Sequence, residues 1–145
     1  MKILSPIVIL FALLFHTVWA ESITVYKSPT CGCCVEWIKI MEAAGHDVHV
    51  EHPMNLARTK DKLGVPKQLG SCHTAIINDY VFEGHIPEAD VMAFLANPPA
   101  GAKGLAVPGM PAHSPGMAAP GVDYSGFNVI LFDEQNKLSL FRAYP

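Results

Sequence analysis

Three cysteines fall within four positions of the stretch "TCGCCVEWIKIMEA": Cys31, Cys33 and Cys34. A fourth, Cys72, precedes His73 in "GSCHTAII". Cys31 and Cys34 form a C-x-x-C pair, the spacing that exchanges electrons through a disulfide. Cys31 and Cys33 form a C-x-C pair, which can grip one soft metal ion from two sides. Plain disulfide staples are the third option, and four cysteines allow three pairings. Cys33–Cys34 would be a strained vicinal bridge, and Cys31–Cys33 closes a small, awkward ring. Cys31–Cys34 is the easy pair and leaves Cys33 to find Cys72. Four thiols with three clustered read as a site more readily than as a framework.

The flanking residues say what must hold these thiols. Residues 23–26 alternate as a short strand, and "SPT" breaks it, with Thr30 or Cys31 as the helix N-cap. Cys34, Trp37, Ile38, Met41 and Ala44 then repeat as one face of a helix, which Gly45 ends. A helix N-terminus carries about half a positive charge, so thiolate is favoured over thiol there. That serves attack on a disulfide and binding of a soft metal equally.

Further along, "HDVHVEH" predicts a strand through Val48 and Val50, and "NLARTKDKLG" a short helix closed by Gly64. Residues 74–77 and "YVFEG" predict two strands joined at Asn78-Asp79. Pro87 opens a helix with Glu88 and Asp90 in its first turn. The predicted order is β-α-β-α-β-β-α. Residues 97–121 then hold six prolines, five glycines and a single charge, Lys103. Residues 127–144 predict a β-hairpin that returns the chain to the folded body, so the Pro/Gly-rich loop is tied at both ends.

That loop offers Met110, His113 and Met117. Thioether, imidazole and thiolate together select copper, above all Cu(I). His46, His49 and His52 are expected on the surface, because strand alternation sends them to different sides. His85 in "EGHIP" is expected to be a turn or packing residue, with support of a metal ligand as its other role.

The chain begins with Lys2, an apolar run over residues 7–15, and Val18-Trp19-Ala20. This is the pattern of a secretory signal peptide over residues 1–20, cleaved after Ala20. The run is shorter than the ~20 residues of a spanning helix, so no stable membrane insertion is expected after cleavage. Residues 21–145 then form one small domain. Ten Lys plus Arg stand against thirteen Asp plus Glu. Without Lys2 the balance is about −4. No basic stripe is present to neutralise phosphates, which excludes nucleic acid as a partner.

The strand, C-x-x-C, helix order over residues 23–96 resembles the thioredoxin fold, an α/β class. In that fold a cis-proline faces the C-x-x-C from the start of a neighbouring strand. Here "GSCHTAII" puts Cys72 and His73 at that place, so four sulfurs would converge. "SPTCGCCVEWIKIMEAAGHDV", "LGVPKQLGSCHTAIINDYVFEGHIP" and "GLAVPGMPAHSPGM" together resemble the periplasmic CopG-type copper-resistance family, long a domain family of unknown function. The resemblance implies a thioredoxin-like domain that holds copper, Cu(I) or Cu(II) and as several ions, for bacterial copper handling. The family's cysteine motif falls on Cys31, Cys33 and Cys34, and its Cys-His pair on Cys72 and His73. The implied partners are copper ions and other periplasmic copper-handling proteins. A copper-dependent oxidoreductase is one form such a site can take. The competing reading is a periplasmic thiol-disulfide oxidoreductase with Cys31 as nucleophile and Cys34 as resolver. A zinc module ranks behind it, since zinc sites favour separated ligand pairs. A disulfide-stapled domain ranks last.

Overall fold

The computed structural model describes residues 20–145, and the expected signal peptide, apart from Ala20, lies outside the described residues. Strand β1 (Ser22–Lys27) runs into helix α1 (Gly32–Ala43), followed by β2 (Asp47–Glu51) and α2 (Leu56–Leu63). A single 3₁₀ turn, Lys67–Leu69, leads to β3 (His73–Ile77) and β4 (Tyr80–Glu83), then to α3 (Glu88–Ala96). Beyond it come β5 (Ala102–Ala106), β6 (Phe127–Asp133) and β7 (Leu138–Tyr144).

All seven strands form one sheet in the order β2-β1-β3-β4-β5-β6-β7. β1 and β2 are parallel, and β3 lies antiparallel to both β1 and β4. With the three helices, these four strands make the thioredoxin-like unit that the sequence predicts. β5 joins β4 in parallel, and the predicted hairpin, β6–β7, completes the sheet in antiparallel pairing.

β5 lies inside the stretch expected to be a loop. Its strand signal is diluted by Gly104, yet glycine is what the pairing requires. A Cβ there would stand 1.7 Å from the Val81 carbonyl oxygen on the neighbouring strand. The irregular part of the Pro/Gly-rich stretch therefore begins after Ala106.

α1 buries the stripe read from its spacing: Cys34, Trp37, Ile38 and Met41. Trp37, Ile38 and Met41 pack with Ile23, Val25, Ala75, Ile77, Phe82 and Phe94 in the main core. Trp37 also satisfies its indole, whose Nε1–H donates to the Ile86 carbonyl at 2.8 Å. α2 buries no side chain; the Asn55 cap, accepting from the Arg58 N–H at 2.9 Å, and the left-handed Gly64 define its ends. α3 is fastened to the far edge of the sheet. Its fully buried Asp90 accepts from the Arg142 guanidinium and from the Tyr144 hydroxyl of β7.

One histidine expected on the surface lies inside. His46 is 5% exposed; its Nδ1 accepts from the Glu21 N–H at 3.1 Å, and its Nε2 meets Glu88 at 3.0 Å. The alternation argument holds for β2, where His49 faces solvent, but His46 precedes that strand and turns under α3. Among the described residues, no helix is long and apolar enough to cross a membrane.

Candidate metal centre

Cys31 is the N-cap of α1, in extended conformation, with no side chain capping the free N–H groups of the first turn. Its own N–H donates to the Ser28 carbonyl at 3.2 Å, which closes the β1–α1 connection into a tight turn. Cys31 and Cys33 are half-buried, while Cys34 sits on the core side of the helix and is fully buried. Cys31 and Cys34 are joined as a disulfide. Cys33 and Cys72 are free thiols.

β3 antiparallel to β1 carries Cys72 to the mouth of this turn. Lys27 at the end of β1 pairs with His73 at the start of β3. Cys33 Sγ lies 3.5 Å from Cys31 Sγ and 3.9 Å from Cys72 Sγ. All four sulfurs fall within 4.8 Å of one another. The convergence expected from the fold position of Cys72 is therefore present.

A second group of donors shares Cys72. Its sulfur lies 2.8 Å from His85 Nε2 and 3.8 Å from His73 Nδ1, and the three side chains form a cluster of possible ligands. His85 does more than the packing role read from the sequence. Its Nδ1 is 2.7 Å from the Pro115 carbonyl, which can only accept, so the proton sits on Nδ1. Nε2 of the neutral ring then presents a lone pair to Cys72, whose S–H donates to it. Burial lowers the pKa of His85. Burial, reinforced by His85, Lys60 and Lys27, holds that of His73 well below the ordinary value. Both rings are thus neutral, the form that ligates metal. Burial, then the neighbouring Cys33, pushes the Cys72 thiol up to about 11. His73 Nε2 is buried without a hydrogen-bond partner among the described residues.

The Pro/Gly-rich loop crosses directly over α1. At Gly116, with φ of +82°, a Cβ would lie 2.7 Å from the Trp37 nitrogen and 2.8 Å from the Cys33 carbonyl oxygen. Glycine is what lets the loop touch the cysteine turn and bring Pro115 to His85. Met117 follows it, half-buried, with its N–H donating to the Ser114 carbonyl at 2.9 Å. Met110 is 57% exposed. His113 is exposed too, its Nδ1 3.1 Å from Ser125 Oγ. So the structure brings together Cys31, Cys33, Cys34, Cys72, His73 and His85. It leaves Met110 and His113 on the outer side of the loop.

Four sulfurs and two neutral imidazoles, one with an unpartnered buried nitrogen, are a donor set that fits a soft metal ion. Cys31 and Cys34 must be reduced to contribute. Loading would displace thiol protons, and the imidazoles need lose none.

Fold and site together define a thioredoxin-like domain, extended by three strands, with a clustered cysteine–histidine centre. Two solved structures share the fold, "Copper resistance protein copG- Form 2" and "Copper resistance protein copG- Form 1". Each aligns with a TM-score of 0.80 and 36% identity over 88% of this chain, covering 100% and 99% of their own lengths. The chain belongs to the CopG copper resistance protein family. A family model described as "Protein of unknown function, DUF411" matches residues 69–117, which span Cys72, His73, His85 and the Pro/Gly-rich stretch as far as Met117. No curated protein matches the chain.

Proposed function

We propose that this protein binds copper as Cu(I) through Cys31, Cys33, Cys34 and Cys72, as part of periplasmic copper resistance. The observation that carries the reading is the convergence of four sulfurs within 4.8 Å. At that separation the thiolates must share ions, so bridging sulfurs and more than one copper per chain are expected. His73 and His85 add imidazole donors from the floor of the site. Met117, half-buried next to Gly116, is the loop group proposed to complete coordination, and Met110 and His113 would have to turn inward to join it. Copper supplies a one-electron couple between its two oxidation states, which a mixed sulfur–imidazole site can tune. The chain's own part is to hold the thiolates close, keep both rings neutral and cover the site with the loop. Export to the periplasm through the N-terminal signal peptide, and exchange with other copper-handling proteins there, complete the proposal.

The test uses reduced protein, freed of reductant anaerobically, with Cu(I) titrated against a competing chelator while free thiols are counted. One or more copper per chain, with loss of thiol reactivity, is expected. The Cys31→Ser/Cys34→Ser variant is expected to lose stoichiometry. Unchanged stoichiometry in that variant would overturn the reading.

The Cys31–Cys34 disulfide favours a second reading, a thiol-disulfide oxidoreductase with Cys31 as nucleophile and Cys34 as resolver. Cys33, 3.5 Å from Cys31, counts against it, because a third thiol can capture the mixed disulfide. Reduction of insulin disulfides by the metal-free protein would favour this reading over copper binding.

A further inference from the structure

Glu83 ends β4 with a carboxylate that no copper chemistry described above uses, and it is 0% exposed. A buried carboxylate is unfavourable unless it is paired and hydrogen-bonded. This one is fully engaged. Its Oε1 accepts from Lys60 Nζ at 2.5 Å and from the Ser71 backbone N–H at 2.7 Å. Its Oε2 accepts from the Thr74 hydroxyl at 2.6 Å. Lys60, reaching in from α2, also donates to Thr74 Oγ1 at 2.9 Å.

Ser71 and Thr74 flank Cys72 and His73. The carboxylate therefore grips the chain on both sides of two donor residues. The next residue extends the grip, since the Gly84 N–H donates to the His73 carbonyl at 2.9 Å. A Cβ at Gly84 would stand 2.5 Å from Ser71 Oγ, so β4 can press this closely only with glycine there. From the other side, the Ser71 hydroxyl donates to the Gly109 carbonyl, and the Gly109 N–H donates to the Gly70 carbonyl.

We propose that Glu83, paired with Lys60, is a positioning residue of the metal centre: by holding Ser71 and Thr74 it sets where Cys72 Sγ and the His73 ring stand. The inference rests on the copper reading for its metal readout. A buried ion pair that served stability alone could be replaced by apolar side chains without loss. Here two of the three groups bonded to the carboxylate are neighbours of proposed ligands.

The experiment compares the reduced wild-type protein with Glu83→Gln and Thr74→Val. Asp90→Asn is the control, since Asp90 is equally buried but bonded to Arg142 and Tyr144. Two quantities are read: Cu(I) affinity by chelator competition, and the alkylation rate of Cys72 relative to Cys33 in metal-free protein. Groups that orient ligands typically change metal affinity by about 10–100-fold when altered. That loss is expected for Glu83→Gln, a smaller loss for Thr74→Val, and a raised Cys72-to-Cys33 alkylation ratio in both. Should Glu83→Gln fail to fold, Thr74→Val tests the same contact from its other end. Wild-type affinity and alkylation ratio in the folded variants would overturn the proposal, as would equal changes in Asp90→Asn. Wild-type protein that takes up no copper would sink the copper reading instead, and the alkylation ratio would still decide the role of Glu83.

Discussion

Gly116 and Gly121 form a matched pair that can measure how firmly the loop is seated on the cysteine turn. Their φ angles are +82° and +81°. Alanine at either site bears the strain of a left-handed backbone, about 1–2 kcal/mol. Either substitution also restricts the unfolded chain to the same extent. The surroundings differ. A Cβ at Gly121 meets nothing within 4 Å, whereas one at Gly116 comes within 2.7 Å and 2.8 Å of helix backbone atoms. Those atoms belong to the first turns of α1 and cannot swing aside as a side-chain tip could. Overpacking of this kind costs about 1–3 kcal/mol. A domain of this size loses about 3–5 °C per kcal/mol. Gly116→Ala should therefore melt about 3–15 °C below Gly121→Ala, measured by calorimetry at one fixed disulfide state. Where the loop lifts away rather than straining the helix, the penalty is capped at its docking free energy. Protease cleavage between residues 108 and 121 then rises in Gly116→Ala alone. Equal melting temperatures together with equal protease resistance would refute the contact, and with it the orientation of His85 by Pro115.

Three further outcomes follow from the same geometry. In metal-free protein with the Cys31–Cys34 disulfide intact, Cys72 should alkylate slowly at pH 8 and speed up toward about pH 11, the value to which burial and Cys33 push it. A raised thiol pKa adds stability that is complete below the ordinary value of 9.0 and lost as pH rises through the folded value; denaturant unfolding between pH 8 and 11 should show that decline, and Cys72→Ser should flatten it. Trp37→Phe removes the donor to the Ile86 carbonyl and should cost about 1–3 kcal/mol in denaturant unfolding, with the fold retained.

The cysteine turn was legible because its determinants are local. A strand, a breaker and an apolar stripe at helical spacing lie within two dozen residues, and they aim the thiols without help from elsewhere. Cys72 could be located only through the fold, since 39 positions separate it from Cys33. His85 carried no such signal. It enters the site from the far end of β4, and its proton is fixed by a carbonyl 30 residues away in a segment without periodicity. Glu83 reads in sequence as an ordinary strand-end carboxylate, and nothing local announces Lys60 beside it. His46 was misplaced because alternation applies within β2 and the residue stands just outside it. β5 is hidden in the sequence because the residue its pairing demands, Gly104, is also the residue that weakens a strand pattern.

The spacing of the thiols along the chain also orders the steps by which the protein matures. Cys31 and Cys34 are three residues apart, while Cys33 and Cys72 are separated by 39. Loop-closure entropy alone favours the shorter encounter by about 2 kcal/mol in a chain that has not yet folded. Oxidation of an unfolded, reduced chain should thus settle on Cys31–Cys34 before Cys33–Cys72. Cys33 meets Cys72 only once β1 and β3 have paired, and by then the competing partners of Cys33 are consumed. A crowded set of four cysteines can in this way reach one pairing without a proofreading isomerase.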